Sequence, residues 1–147
     1  MERSLNNQGF TLIETVFALS IMGIMIYLAS FSLLNLVPKY KLEKAVWEVR
    51  AALNTARAKS IINGLNYRVR LRAESYALEK YDEDSKTWRQ ETSSGIEGAT
   101  IEANNTPVFT PEGSVTNLAT IRITNGWGGY KITLAITGRV KVARLSP

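Results

Sequence analysis

The hydrophobic and polar positions divide the chain into three stretches, of which the first is the most strongly apolar. Residues 15–34 carry no formal charge, and the apolar character continues to Val37. About 20 such residues are the length that an α-helix needs to cross the hydrocarbon core of a bilayer. The pattern predicts a membrane-spanning helix over residues 10–37 that anchors the chain in a membrane.

The second stretch, residues 38–63, has the period of an amphipathic helix. Its apolar residues recur at steps of three and four, at Leu42, Ala45, Val46, Val49, Ala52, Leu53 and Ala56. Asn63 and Gly64 supply a stop, because glycine accepts the left-handed conformation that closes a helix end. We expect one helix that continues from the apolar run and buries one face outside the membrane.

The third stretch, residues 65–147, shows the alternation of β-strands. Tyr67–Arg72 alternates strictly between apolar and basic side chains, which predicts one buried face and one charged face. Further strands are predicted at residues 76–81, 87–89, 118–124, 130–137 and 140–145. The predicted fold class is α+β, with the long N-terminal helix packed on a C-terminal antiparallel β-sheet domain.

The remaining segments are predicted to be turns and loops. Residues 90–111 are rich in Ser, Gly, Asn and Thr, so we expect loops there around a short strand at residues 99–101. The glycines between residues 125 and 129 and at Gly138 are expected to supply positive φ at two hairpins. The acidic run at residues 82–85 predicts a solvated hairpin turn, because a calcium loop would need glycine where the chain has threonine.

Composition narrows the classes of function. The 147 residues include no histidine and no cysteine, which removes the commonest general base, the usual metal ligands and disulfide bonds. We therefore expect no catalytic residues, no metal and no cofactor. Residues 39–72 carry a net charge of +7, residues 73–106 of −5 and residues 107–147 of +4. The basic stretches could attract lipid phosphates, nucleic acid or an acidic partner.

One carboxylate, Glu14, lies at the start of the apolar run, where an unpaired charge costs at least a few kcal/mol. The polar leader, residues 1–9, precedes the apolar run and ends at Gly9. An ordinary secretory signal has the reverse order, with its cleavage site after the apolar region. Cleavage after Gly9 would keep the helix on the mature chain and create an α-amino group on Phe10. This amine could pair with Glu14 of the same chain or of a neighbouring chain.

The segment Gly9-Phe10-Thr11-Leu12-Ile13-Glu14 resembles the processing site of type IV pilins and type II secretion pseudopilins. The resemblance implies cleavage between Gly9 and Phe10 by a prepilin peptidase and N-methylation of Phe10. It also implies an assembly salt bridge between Glu14 and the α-amino group of a neighbouring pilin or pseudopilin subunit in a filament.

The resemblance further implies a single-pass protein of the bacterial inner membrane that is filament-associated after assembly. Its N-terminus would be cytoplasmic and its C-terminal domain periplasmic or extracytoplasmic. The basic residues predict the opposite orientation, because Arg3 alone precedes the apolar run whereas four basic residues follow it between residues 39 and 50. We favour the first orientation, since a peptidase that acts on the cytoplasmic side needs Gly9 there.

Four further segments look like the GspH/FimT family of minor pseudopilins and minor pilins. They are Ala56-Arg57-Ala58-Lys59-Ser60, Tyr67-Arg68-Val69-Arg70-Leu71, Phe109-Thr110-Pro111-Glu112-Gly113 and Ile136-Thr137-Gly138-Arg139-Val140. This similarity implies a non-catalytic minor pseudopilin of a type II secretion system. Such a subunit would start assembly at the tip of a short filament that serves protein secretion.

The alternative is a FimT-like minor pilin that binds DNA for uptake. The run from Gly138 to Lys141 is similar to a Gly-Arg-x-Arg signature that implies DNA binding, with lysine in the second basic position. Alternation puts Arg139 and Lys141 on one strand face, where they could meet successive phosphates, and Arg144 follows in the same run. A strand edge protected by cationic side chains explains the same residues without DNA.

Overall fold

The computed structural model of the chain describes residues 9–145, apart from the side chains of residues 31–35. The first part of the predicted leader, residues 1–8 with Arg3, lies outside the described residues. The backbone forms two compact units, of which the first ends at Leu36 and the second begins at Val37. One long helix contributes to both units, and all of the β-structure belongs to the second.

The helix α1 (Leu12–Asn63) begins directly after Thr11 and contains Pro38. The hydroxyl of Thr11 accepts a hydrogen bond from the backbone N–H of Glu14 at 3.3 Å, which caps the first turn. The helix ends before Gly64, whose φ of 64° is in the left-handed region that glycine adopts without steric cost. The apolar run and the amphipathic stretch are therefore one continuous helix, as predicted.

The N-terminal part of α1 is exposed over residues 12–30. Residues 12–30 form a segment long and apolar enough to cross a membrane, and all of them are exposed. The C-terminal part differs, because the seven apolar residues of the predicted stripe are all buried. Leu42, Val49, Leu53 and Ala56 are each 0% exposed. The 3.6-residue period thus predicted the buried face of the helix correctly.

Eight strands follow the helix and form two antiparallel sheets of four strands each. The strands are β1 (Tyr67–Arg72), β2 (Ser75–Asp82), β3 (Thr87–Gly95), β4 (Thr100–Ala103), β5 (Val108–Phe109), β6 (Thr120–Asn125), β7 (Gly128–Leu134) and β8 (Val140–Arg144). The first sheet has the order β3-β2-β1-β5, and the second has the order β4-β6-β7-β8. The predicted α+β architecture is confirmed.

Both sheets contribute their apolar faces to one hydrophobic core with the buried face of α1. Tyr67 and Phe109 of the first sheet are the largest of its fully buried side chains. Ile121, Ile123 and Ile132 of the second sheet are each 0% exposed. Alternation along β6 and β7 puts these isoleucines on one face, so the opposite face of the second sheet is left to polar and charged residues.

The loop prediction for residues 90–111 was wrong in part. β3 continues to Gly95, and the short strand β5 pairs with β1 at the edge of the first sheet. Most side chains of β3 are exposed, so backbone hydrogen bonds to β2 define this strand without a buried face. Serine and threonine with no apolar alternation therefore gave no strand signal.

The prediction of positive φ was correct for Gly138 and wrong for the glycines between residues 125 and 129. Gly138 has φ of 78°, whereas Gly126, Gly128 and Gly129 do not have positive φ. The tight β6–β7 turn instead uses Asn125, whose side-chain oxygen accepts a hydrogen bond from the Trp127 N–H at 3.0 Å. Gly129 is needed for close packing, because a Cβ there would lie 2.8 Å from Cγ2 of Thr124.

Candidate functional site

The first candidate site is the N-terminal end of α1. Gly9 and Phe10 precede the helix, and Phe10 is 83% exposed. The peptide bond between them is therefore outside the hydrogen-bonded helix, as a bond that enters a peptidase active site should be. The predicted leader continues into residues 1–8, which are outside the described residues.

Glu14 lies in the first turn of α1, at the third helical position. Its backbone N–H is satisfied by Thr11, and its side chain makes no ion pair with any residue in the described range 9–145. A carboxylate is favourable near the N-terminus of a helix, where free backbone N–H groups point. Inside a bilayer, that placement alone would not satisfy the charge of Glu14, and a cationic partner would be needed.

The second candidate site is the basic strand β8 at one edge of the second sheet. Lys141 lies opposite Thr133 of β7 and is exposed, and Arg139 precedes the strand with the same side-chain parity. The structure therefore brings Arg139 and Lys141 to one face, as alternation predicts. Arg144 lies opposite Tyr130, on the other face of the sheet.

Arg144 belongs to a different cluster, around Trp127. The Arg144 guanidinium carbon lies 4.6 Å from the Trp127 ring centroid, and Lys39 Nζ lies 5.6 Å from the same centroid. Both distances are within the range of cation–π attraction. The three basic residues predicted for anion binding are therefore not one site, because Arg144 faces away from Arg139 and Lys141.

Three of the family-like segments meet at one structural junction. The Arg57 Nε donates a hydrogen bond to the Gly113 carbonyl at 3.0 Å. A Cβ on Gly138 would lie 2.5 Å from both Arg57 Nε and the Gly113 oxygen. The Val115 N–H donates to the Ile136 carbonyl at 2.8 Å, which ties the same loop to the β7–β8 turn. The junction of Arg57, Gly113 and Gly138 thus fixes the turn from which Arg139 projects.

A fourth family-like residue, Lys59, belongs to a polar cluster between the helix end and the first sheet. Lys59 Nζ donates to Glu91 Oε2 at 2.5 Å, and the Tyr67 hydroxyl donates to Glu91 Oε1 at 3.0 Å. The hydrogen bond from Lys59, together with that from Tyr67, lowers the pKa of Glu91 below its ordinary value. The hydrogen bond to Glu91 raises the pKa of Lys59 in turn. Glu91 thus fastens the end of α1 to β3.

The charged face of β1 contains an ion-pair cluster that the sequence analysis missed. Glu79 of β2 is only 3% exposed and accepts hydrogen bonds from Arg68 Nε at 2.5 Å and Arg70 Nη2 at 2.7 Å. The β1–β2 register places Glu79 directly opposite Arg68. If Arg72 pairs with Ser75 across a two-residue turn, then the residue four positions before Arg72 lies opposite the residue four positions after Ser75. This register would have predicted the pair of Arg68 and Glu79. Arg68 and Arg70 are therefore engaged within the sheet.

No group of three or more metal-ligating side chains occurs in the described part of the chain. The acidic run begins at Asp82, the last residue of β2, and continues into the β2–β3 turn. Asp82 pairs with Arg89 at 3.1 Å. The hydrogen bond from the Ser85 side chain is the main cause that lowers the pKa of Asp82. This segment has the hairpin structure that its sequence predicted.

Comparison with known proteins gives one sequence match and two structural matches. Residues 4–27 match the prokaryotic N-terminal methylation motif. The fold is similar to the type IV minor pilin FimU of Pseudomonas aeruginosa, with a TM-score of 0.60 and 15% identity over 71% of this chain and 90% of FimU. It is also similar to the minor pseudopilin EpsH from the type 2 secretion system of Vibrio cholerae, with a TM-score of 0.59 and 14% identity over 71% of this chain and 97% of EpsH. No curated protein sequence matches the chain.

These matches confirm the resemblance in two respects. The chain has the fold of minor pilins and pseudopilins, and it carries the N-terminal methylation motif of prepilins. Its apolar N-terminal helix fits membrane anchoring.

Proposed function

We propose that the chain is a non-catalytic minor pseudopilin that is inserted in the inner membrane and assembled into a filament after a prepilin peptidase has cleaved it. The observation that carries the proposal is the position of Glu14 at the start of the apolar segment 12–30, whose side chains are all exposed. The exposed apolar side chains of such a segment can be covered by lipid or by other subunits. The carboxylate of Glu14 favours contact with other subunits, because the hydrocarbon of a bilayer contains no cation to pair with it.

Cleavage between Gly9 and Phe10 would supply the missing cation. The new α-amino group would lie about one helical turn from Glu14. Glu14 could pair with this amine in its own chain or with the corresponding amine of a neighbouring chain. In the bilayer a carboxylate and an ammonium offset each other's desolvation, and removal of either leaves an uncompensated charge. Glu14 would thus pair only after processing, so that uncleaved chains are poorly incorporated. N-methylation of Phe10 keeps the positive charge of the amine.

The decisive experiment compares Glu14→Gln with the wild type in cells that contain the peptidase and the partner subunits. Mass spectrometry of the mature N-terminus measures cleavage and methylation at Phe10, and fractionation of sheared filaments measures incorporation. We expect Glu14→Gln to be cleaved and to lose nearly all incorporation. Glu43→Gln is the matched control, because Glu43 lies on the same helix, is exposed and precedes no apolar run. Normal incorporation of Glu14→Gln would overturn the proposal.

Secretion and pilus assembly remain the two settings for such a subunit. The TM-scores against FimU and EpsH differ by 0.01, so the fold supports both settings equally. We propose the type II secretion pseudopilus first and the type IV pilus as the alternative. Deletion of the gene separates them: loss of secreted enzymes with intact pili supports the first, and loss of pili or of DNA uptake with intact secretion supports the second.

DNA binding is the second candidate function, and it rests on the shared exposed face of Arg139 and Lys141. Two cations on one strand give a small electrostatic footprint, and Arg144 does not extend it because it stacks on Trp127. DNA binding predicts affinity that falls with salt and falls further in Arg139→Ala with Lys141→Ala. An affinity that is indifferent to both changes would exclude it.

A further inference from the structure

Strand β8 is an edge of the second sheet. The strand order β4-β6-β7-β8 leaves one side of β8 without a strand partner among the described residues. β8 pairs antiparallel with β7, from Leu134 opposite Val140 to Tyr130 opposite Arg144. A free edge presents a row of backbone N–H and C=O groups that another extended segment can bind.

The hydrogen bonds at the two ends of β8 show which backbone groups face outward. The Ala135 N–H donates to the Arg139 carbonyl at 3.0 Å, and the Leu145 N–H donates to the Gly129 carbonyl at 2.9 Å. In an antiparallel pair, inward and outward groups alternate residue by residue. Residues 139, 141, 143 and 145 therefore face β7, whereas the N–H and C=O groups of Val140 and Val142 face the free edge.

A groove of about 550 Å³ runs beside this edge. Its apolar part is formed by Leu134, Val140 and Val142, and the two valines are half-buried. Their side chains lie on the face of the sheet that also carries Ile132 and Leu134. An added strand would therefore find apolar contacts as well as backbone hydrogen bonds.

The charged residues of the groove are all basic. Arg50 of α1, Arg139 and Lys141 line it, and no acidic residue does. None of the three makes an ion pair with another described residue. Cations at a strand edge oppose pairing with neutral or basic strands, because they would be brought beside the partner without compensation. An acidic partner removes that penalty, since opposite charges on neighbouring strands attract.

We propose that the free edge of β8 binds an extended acidic segment of another protein, which adds to the second sheet as a fifth strand. Backbone hydrogen bonds to Val140 and Val142 hold the segment in register. Its apolar side chains cover the two valines, and its carboxylates on the opposite face meet Arg139 and Lys141. This site does not depend on cleavage at Gly9 or on Glu14.

The test uses the full-length chain in neutral detergent micelles with a synthetic eight-residue peptide that repeats Glu-Val four times. We expect the peptide to slow amide hydrogen exchange at Val140 and Val142 by about tenfold or more at saturation, because these N–H groups become hydrogen-bonded. Two control peptides carry N-methyl groups on alternate residues, one at the odd positions and the other at the even positions. The peptide whose methyl groups block the hydrogen bonds to β8 should give no protection.

The contribution of the basic residues to peptide binding is tested by substitutions in the protein. Arg139→Glu with Lys141→Glu should weaken peptide binding about tenfold, since two attractive cross-strand pairs become repulsive. Lys131→Glu is the matched control, because Lys131 is exposed but lies on β7, one strand away from the free edge. It should change the affinity by less than about twofold. A peptide that repeats Lys-Val should not bind.

Three outcomes would overturn the proposal. Binding without protection at Val140 and Val142 would place the peptide elsewhere. A 20-nucleotide DNA that binds through Arg139 and Lys141, where the peptide does not bind, would assign the face to nucleic acid. Protection that rises with protein concentration in the absence of peptide would identify a second copy of this chain as the occupant. Loss of filament incorporation in Glu14→Gln has no bearing on these results, so the two proposals fail separately.

Discussion

The first half of α1 is the more apolar of the two, yet the second half is the one that buries its apolar side chains within the chain. Residues 12–30 are all exposed, whereas the seven stripe residues between Leu42 and Ala56 are each at most 9% exposed. The second half has its partner within the chain, namely the apolar faces of the two sheets. Residues 12–30 bury none of their side chains against the part of the chain that the structure describes. The second half thus serves the folding of the domain, the first half is the one we propose for assembly, and the two should respond to different perturbations.

The largest difference should come from truncation of one leucine in each half. Leu53→Ala creates a cavity at a site with 0% exposure and should lower the free energy of unfolding of the domain by about 2–5 kcal/mol. Leu19→Ala removes a side chain that is 63% exposed and should change it by less than about 0.5 kcal/mol. All three tryptophans lie after Val37, so their fluorescence during urea unfolding in micelles reports on the domain alone. Equal effects of the two substitutions on the free energy of unfolding would contradict the inference that only the second half of α1 packs within the domain.

A smaller effect is expected at the junction of Arg57, Gly113 and Gly138. Gly138→Ala places a Cβ at a φ of 78°, which costs about 1–2 kcal/mol before its contacts with Arg57 and with the Gly113 carbonyl oxygen are counted. Gly126→Ala is the control, because a Cβ at Gly126 meets no atom within 4 Å. We expect destabilisation in urea unfolding for the first variant and little for the second. A stable Gly138→Ala variant would mean that the junction does not hold the β7–β8 turn.

The smallest effect concerns the Lys59–Glu91 contact at the end of the buried half. The hydrogen bond from Lys59, helped by that from Tyr67, lowers the pKa of Glu91 in the folded state. Its contribution to stability is therefore present above the unfolded pKa, near 4.3, and is lost as the pH falls through the folded-state value. For a partly exposed pair this is at most about 1 kcal/mol.

Urea midpoints at pH 6 and pH 3 measure this contribution. The wild type should lose more stability between the two pH values than Glu91→Gln does, because glutamine cannot ionise. Glu43→Gln is the control and should lose as much as the wild type. A Glu91→Gln variant with the full pH dependence would show that other carboxylates account for it.

The sequence predicted those parts of the fold that have a periodic apolar signal. The stripe from Leu42 to Ala56 and the alternation of Tyr67–Arg72 each have one buried face, and both were predicted correctly. The second half of β3 was missed because its polar side chains are mostly exposed and only its backbone pairs with β2. A strand without a buried face leaves no pattern to detect.

The candidate sites divide in the same way. The segment from Gly9 to Glu14 is local, so its spacing along the chain was enough to predict an N-terminal site. Arg144 was grouped with Arg139 and Lys141 although its odd separation from Lys141 puts it on the other face of an unbroken strand. The junction was beyond prediction, because it joins residues 57, 113 and 138 through the tertiary fold.

The central claim is that the exposed half of α1 acquires a protein partner only after processing, through Glu14. Photo-crosslinking tests it most directly, with p-benzoylphenylalanine in place of Leu19, in cells with and without the prepilin peptidase. We predict a crosslinked subunit in the processed wild-type background, and its loss both in Glu14→Gln and in cells without the peptidase. The same crosslinked product at the same yield in all three backgrounds would contradict the account.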